Sequence, residues 1–485
     1  MNLCLIGHNF RYELEKLVRI FMPFEKIEFF DTEVSAECFA VTVLSENTAK
    51  AYLKLYEKTA ECETKLESQD PKEQELKLAI ALFECFVELT NYKPQWGILT
   101  GVRPAKLFSR LLKTDGLENT RRYFRDYLKV SEKKISLCEK THKDEENITS
   151  LSKSNSFSLY VSVPFCPTRC SYCSFVSHSV MQAKKLIPQY VEFLCEEIKK
   201  SGKIASDLGL NLETIYIGGG TPTTLDAEQL TRVMKTVSSS FDLSNLREYT
   251  VEAGRPDTIT AEKLIAIKNG GATRISINPQ TMNDAVLKEI GRQHTAIQTI
   301  EAFNLARGLG FDNINMDLIA GLPTDTLESF KDTVNAILKL DPESVTVHSL
   351  SMKRAATLST TGQLPEIEIG KTASDMVDFA CETLSQKGIE PYYMYRQSKT
   401  VGNLENVGYA KKGYECLYNV YIMDETHTIL GCGASAVTKL REPDGELIER
   451  IFNFKYPYEY LSRFLEIISR KDGINKFYER FKEEM

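Results

Sequence analysis

From Ser158 onward the chain alternates short β-rich runs with helical stretches, and no other feature of the sequence limits the fold as tightly. The runs are Leu159 to Val163, Thr214 to Ile217, Tyr249 to Glu252, Arg274 to Ile277, Ile314 to Ile319 and Ser344 to His348. Helical candidates near 182–208, 226–239, 284–308 and 326–339 lie between them, each with apolar residues at helical spacing. Six βα repeats predict an α/β fold in which a parallel sheet rolls into a partial (β/α)6 barrel, with active-site groups at the carboxyl ends of its strands.

The flanks of this repeat read differently. Residues 1–150 form a separate N-terminal α/β domain, with a short βα start (Leu3 to Ile6, then Tyr12 to Phe21) followed by long charged helices. The clearest helix is Lys72 to Leu89, with Leu76, Ala79, Leu82, Phe83 and Phe86 close to helical spacing. The only tryptophan, Trp96, lies in the stretch Pro94 to Pro104, read as a packed turn anchored by an aromatic ring. A polar linker, Thr149 to Ser156, leads into a barrel domain at 156–375, and 376–485 is an α+β extension able to cover the barrel mouth.

The 485 residues are 42% hydrophobic and 26% charged, the composition of a soluble globular chain. A formal net charge of −7 gives no general attraction to nucleic acid, while leaving room for a local basic pocket. No apolar run reaches the roughly 18 to 20 residues of a membrane span. The opening Met1 to Gly7 lacks the basic segment of a signal peptide. Most of the twelve cysteines stand singly in apolar stretches, as Cys85 does in Leu82 to Val87, which is the usage of a reducing compartment; the cytoplasm is expected.

Three cysteines do not follow that pattern. Cys166, Cys170 and Cys173 follow the first strand at Cys-x3-Cys-x2-Cys spacing, so three thiolates in one loop can wrap one corner of an iron–sulfur cube. The competing reading is a Cys3His zinc site completed by His178. At the end of the second strand, Gly218-Gly219-Gly220-Thr221-Pro222 offers bare backbone amides. Glu252, ending the third strand, is a carboxylate facing the barrel mouth.

This cysteine spacing resembles that of the radical S-adenosylmethionine (SAM) enzymes. The resemblance implies one 4Fe-4S cluster with three cysteine ligands, its fourth iron open to the amino and carboxylate groups of SAM. Reductive cleavage of SAM would then yield a 5′-deoxyadenosyl radical, with a flavodoxin or ferredoxin as electron donor. The motifs Leu159 to Cys166, Gly218 to Thr223, Glu252, Gln280, Leu287 to Arg292 and Asp317 to Pro323 occur in the order of the oxygen-independent coproporphyrinogen III dehydrogenase group, which also contains haem chaperones and haem-modifying relatives. By that resemblance Tyr160, Tyr172, Gly219, Gly220, Thr221, Glu252, Gln280, Arg292 and Asp317 stand at SAM-contacting positions. Trp96 to Pro104, Tyr393 to Gln397 and Gly402 to Ala410 look like the HemZ branch of the group.

The implied substrate is a tetrapyrrole, coproporphyrinogen III or haem. The named reaction takes a hydrogen from a propionate β-carbon, then releases carbon dioxide and an electron to leave a vinyl group. Lys353, Arg354 and Arg396 are the candidate propionate partners, since arginine binds a carboxylate with two parallel hydrogen bonds. Two departures bear on the reaction. The fourth cysteine of the established dehydrogenases is replaced by Phe175, and the His and Trp of the chaperones' His-Asn-x-x-Tyr-Trp motif by Glu405 and Ala410. A haem carrier, methyl transfer to haem and anaerobic ring opening therefore stay open beside decarboxylation.

Overall fold

A computed structural model describes residues 1–173, 178–351 and 365–481, with the side chains of 182, 365 and 366 left out. The chain divides into two compact units, and neither is a single stretch of sequence: one comprises Met1–His142, Ser349–Phe379 and Met394–Asn406, the other Lys143–His348, Ala380–Tyr393 and Val407–Met485.

In the first unit Asn2–Ile6 is the second strand of a five-stranded sheet, flanked by Glu28–Phe30 on one side and by Cys38–Leu44, Thr48–Leu55 and Lys58–Lys65 in turn on the other. The expectation of charged helices directly after the βα start is corrected here. Residues 38–65 form an antiparallel meander, and Thr48–Leu55 alternates half-buried and buried positions along its whole length, the period of a strand with one face on a core. The predicted helix appears as Pro71–Thr90, started by the Asp70 side chain accepting from the Lys72 amide. It packs Leu78, Leu82, Phe83 and Phe86 against the sheet in a core that also holds Leu14, Leu17 and Phe21.

The second unit carries the parallel sheet. Its six strands are Ser156–Val163, Asn211–Gly219, Glu248–Gly254, Arg274–Ile277, Ile314–Ala320 and Ser344–Ser349, neighbours in chain order. Among the described residues the sheet does not close on itself. Thr428–Cys432 continues it in parallel beside the first strand, and residues 407–410 pair antiparallel with 344–347 at the other end. This is the partial barrel expected.

Two helical expectations change. The stretch 284–308 is two helices, Asp284–Glu289 and Ala296–Gly308. Gly291 takes a positive φ of 78° between them, and Thr295 with Gln298 forms a capping box that starts the second. A further helix, Ala261–Asn269, capped by Thr260, fills the gap between the third and fourth strands. No described helix is long and apolar enough to cross a membrane.

Candidate cofactor site

The cysteine loop leaves the first strand and is tied down from three directions within its own unit. The Gly220 amide donates to Val163 O (2.8 Å) and the Thr221 amide to Phe165 O (2.7 Å), so the glycine run lies along the start of the loop. A Cβ on Gly220 would stand 2.5 Å from Phe165 O, and Gly219 holds a φ of 109°; both positions need glycine. Further along, the Ser171 amide donates to Ile290 O (3.1 Å) and the Thr168 hydroxyl to Gly291 O (3.0 Å). Arg255, buried and fork-bonded to Asp257 at 3.0 and 2.9 Å, donates to Thr168 Oγ1 at 2.6 Å.

The polar side chains predicted from sequence converge on this loop and on the strand ends beside it. Arg292 donates to the Tyr172 hydroxyl through Nε (3.2 Å) and a terminal nitrogen (3.0 Å) and to Asn278 O (2.6 Å), linking the cysteine loop to the segment after the fourth strand. Thr221 Oγ1 lies 3.6 Å from Cys166 Sγ. Gln280, at a φ of 70°, forms an isolated parallel bridge to Leu318, its amide donating to Asp317 O (2.9 Å).

Two carboxylates in this region are set apart electrically. Burial pushes Glu252 up to about 7, against the hydrogen bond from the Tyr216 hydroxyl that favours its charged form. Burial also acts on Asp317, but His348, Asn315 and Thr346 together hold it below the usual carboxylate range. Asn315 Nδ2 donates to Asp317 Oδ1 at 2.7 Å, and His348 Nε2 stands 3.8 Å from Oδ2.

Comparison with known proteins identifies the arrangement. The Radical SAM superfamily model matches residues 160–337. The oxygen-independent coproporphyrinogen-III oxidase-like protein HemZ of Bacillus subtilis is 39% identical over 77% of this chain and 76% of its own length. The chain belongs to the radical SAM family of oxygen-independent coproporphyrinogen III oxidase-like proteins. The haem chaperone HemW of Haemophilus influenzae is 31% identical over 63% of this chain and 75% of its own. A solved structure of the coproporphyrinogen III oxidase HemN from Escherichia coli covers 66% of this chain and 71% of its own, with 23% identity and a TM-score of 0.49.

Family membership assigns a 4Fe-4S cluster and SAM as cofactors, and the residues present fit them. All twelve cysteines are free thiols, and the three loop sulfurs are soft donors of the kind such clusters take. Among the described residues no three His, Cys, Asp or Glu side chains converge on a single metal ion. His178 sets its ring edge-on to Tyr456 and Tyr458 (centroids 6.0 and 6.1 Å), and it is family membership that decides for the cluster over zinc. The glycine run lies so close to the start of the loop that a Cβ on Gly219 or Gly220 would press on Ser162, Val163 or Phe165.

The substrate candidates fare differently. Lys353, Arg354 and Phe175 lie outside the described residues. Arg396 is 3% exposed in the first unit, where its guanidinium donates to the carbonyls of Leu99 (2.6 Å), Gly101 (3.3 Å) and Asn403 (3.0 Å) and rests over the Trp96 ring (5.2 Å). A propionate would have to displace those carbonyls, so the geometry gives Arg396 a scaffold role. Sequence reasoning missed Tyr216, Arg255 and Tyr418. Tyr216 was legible in principle, standing two residues before Gly218 and so on the same strand face.

Proposed function

We propose that the chain is a radical SAM enzyme acting on a tetrapyrrole, and that its reaction is the oxidative decarboxylation of coproporphyrinogen III propionates to vinyl groups. The observation that carries the reading is the cysteine loop held against the glycine cradle beside Glu252, Arg292 and Asp317. In this reading Cys166, Cys170 and Cys173 hold the cluster. Tyr160, Tyr172, Gly219, Gly220, Thr221, Glu252, Gln280, Arg292 and Asp317 surround SAM. When bound, the two cofactors supply a 5′-deoxyadenosyl radical.

The chain's own residues then bind, orient and screen. Gly219 and Gly220 let the backbone lie directly against Val163 and Phe165 and so would hold the start of the cysteine loop beside the cofactors. Arg292 holds Tyr172 and thereby the loop. Asp317, kept ionised by His348 and Asn315, is an acceptor of fixed charge, while Glu252 can lose or take a proton near neutral pH. A flavodoxin- or ferredoxin-type donor in the cytoplasm completes the reading.

Haem methylation or ring opening is the second reading, favoured by Phe175 at the position of the dehydrogenases' fourth cysteine. The simple carrier is weakened by Glu405, the residue at the chaperone histidine position. It is 0% exposed and accepts from Trp96 Nε1 (2.6 Å) and Lys134 Nζ (2.7 Å), which leaves no ligand free for haem iron there. Anaerobic incubation of the reduced protein with SAM and either coproporphyrinogen III or haem separates the readings. Stepwise loss of CO2 and two hydrogens from coproporphyrinogen is expected. A mass gain on haem would replace decarboxylation by methylation, and haem retention without SAM cleavage would leave a carrier.

A further inference from the structure

Glu252 already has hydrogen-bond partners from the protein alone. The Tyr216 hydroxyl donates to its Oε1 and the Gly219 amide donates to the same carboxylate. Tyr216 reaches it because the second and third strands run in register, Thr250 beside Tyr216 and Val251 beside Ile217, which brings Glu252 alongside Gly218. A Cβ on Gly218 would stand 2.7 Å from Tyr216 Cε1 and 3.0 Å from Glu252 Oε2. The first glycine of the run thus makes the space that the phenol and the carboxylate share.

The Tyr216 ring is held as firmly as its hydroxyl. It stacks on Tyr418 (centroids 4.6 Å, 25° between planes), and Tyr160 lies 6.3 Å from it on the neighbouring strand. Tyr418 is fixed in turn through the start of its helix, Leu417–Asp424, where the amides of Leu417 (2.7 Å) and Tyr418 (3.4 Å) donate to Glu248. A phenylalanine at 216 would satisfy this stack equally well; only the carboxylate uses the hydroxyl.

We propose that Tyr216 is a positioning residue for SAM, holding one oxygen of Glu252 so that the remaining lone pairs of the carboxylate meet the hydrogen-bond donors of the cofactor. The proposal rests on the assignment of Glu252 as a SAM contact. Removing the phenolic donor disfavours the charged carboxylate, whose other neighbours are Tyr160, Tyr418, Asp317 and Arg274. The consequence is a pH signature that loss of packing would not produce.

The test is anaerobic equilibrium dialysis of radiolabelled SAM against the cluster-loaded full chain from pH 6 to pH 9. Wild-type affinity is expected to fall as pH drops through about 7, where Glu252 takes a proton. Tyr216→Phe, with unchanged cluster absorbance, is expected to bind about fivefold more weakly at pH 7 and nearly normally at pH 9, as a shift of about one pKa unit requires. Glu252→Gln is expected to weaken binding throughout and to abolish the pH dependence. Wild-type affinity for Tyr216→Phe at pH 7, or equal weakening at pH 7 and pH 9, would overturn the positioning role. If cluster-loaded wild type bound no SAM at all, the cofactor assignment itself would fall.

Discussion

Two carboxylates, half-buried Glu252 in the barrel unit and fully buried Glu405 in the other, are treated in opposite ways. Glu405 faces a cation: Lys134, 2% exposed, bridges it to Asp378 (2.7 and 3.2 Å), while Trp96 and Gln95 satisfy further oxygens of the pair. Glu252 receives hydrogen bonds from a phenol and an amide, both neutral. Burial is offset by charge in the first case and hardly offset in the second, so Glu252 is pushed up to about 7 while Lys134 and its neighbours hold Asp378 down against burial. A buried carboxylate with its own cation is scaffold. One with only neutral donors is held close to neutrality and can still respond to a ligand.

The largest effects should come from the loop beside Glu252. Cys166→Ala, Cys170→Ala or Cys173→Ala is expected to abolish both the brown absorbance of the reconstituted protein and SAM cleavage. Cys85→Ala, in the core of the other unit, should leave both intact. Normal cluster assembly in Cys170→Ala would remove the cofactor end of the comparison altogether.

Next in size is the loss of a buried ionic partner. Glu405→Ala removes the nearer of the two carboxylates bridged by buried Lys134 and is expected to cost about 3 kcal/mol in urea unfolding. Glu252→Gln should cost nothing or stabilise the cofactor-free chain, because it removes a carboxylate that burial disfavours. Equal destabilisation by the two would erase the distinction.

The two carboxylates of raised and lowered pKa also predict opposite pH slopes. Glu252 has its folded-state value raised from 4.5 to about 7, so the folded state binds the extra proton. Its contribution is full below about 4.5 and is lost as pH rises to about 7, roughly 3 kcal/mol in all. Asp378, held below 3.8, contributes above that value and loses its contribution as pH falls through the lowered one. Unfolding free energies measured from pH 4 to pH 8 should show the Glu252 slope, and Glu252→Gln should flatten it. The smallest effect is expected for Arg396→Lys. Its ammonium cannot reproduce the planar fork to three carbonyls, at a cost of about 1 kcal/mol, with SAM binding unchanged.

Much of the cofactor end was legible before any coordinates. The strands from Leu159 to His348 fall where the β-rich runs stand, and the cysteine loop follows the first of them. The meander at 38–65 was passed over although its alternation is regular, because isolated lysines in Thr48–Leu55 resemble the exposed face of a helix as readily as that of a strand. Arg396 is a different case. An arginine among tyrosines reads as a ligand for an acid, and the local sequence does not reveal that its terminal nitrogens donate to carbonyls of the distant Leu99–Gly101 segment and of nearby Asn403.

The sequence by itself determined the repeat of strand and helix, the cysteine loop, the glycine run and the family resemblance, because periodicity and ligand spacing are properties of short stretches of chain. Only the tertiary structure decided that Arg255 and Arg292 hold the loop, that Tyr418 backs Tyr216, and that Glu405 belongs to Lys134 and Trp96. These partners lie far apart along the chain. Which of them meet, and whether a buried charge finds an opposite charge or only a neutral donor, is set by how the strands and helices pack.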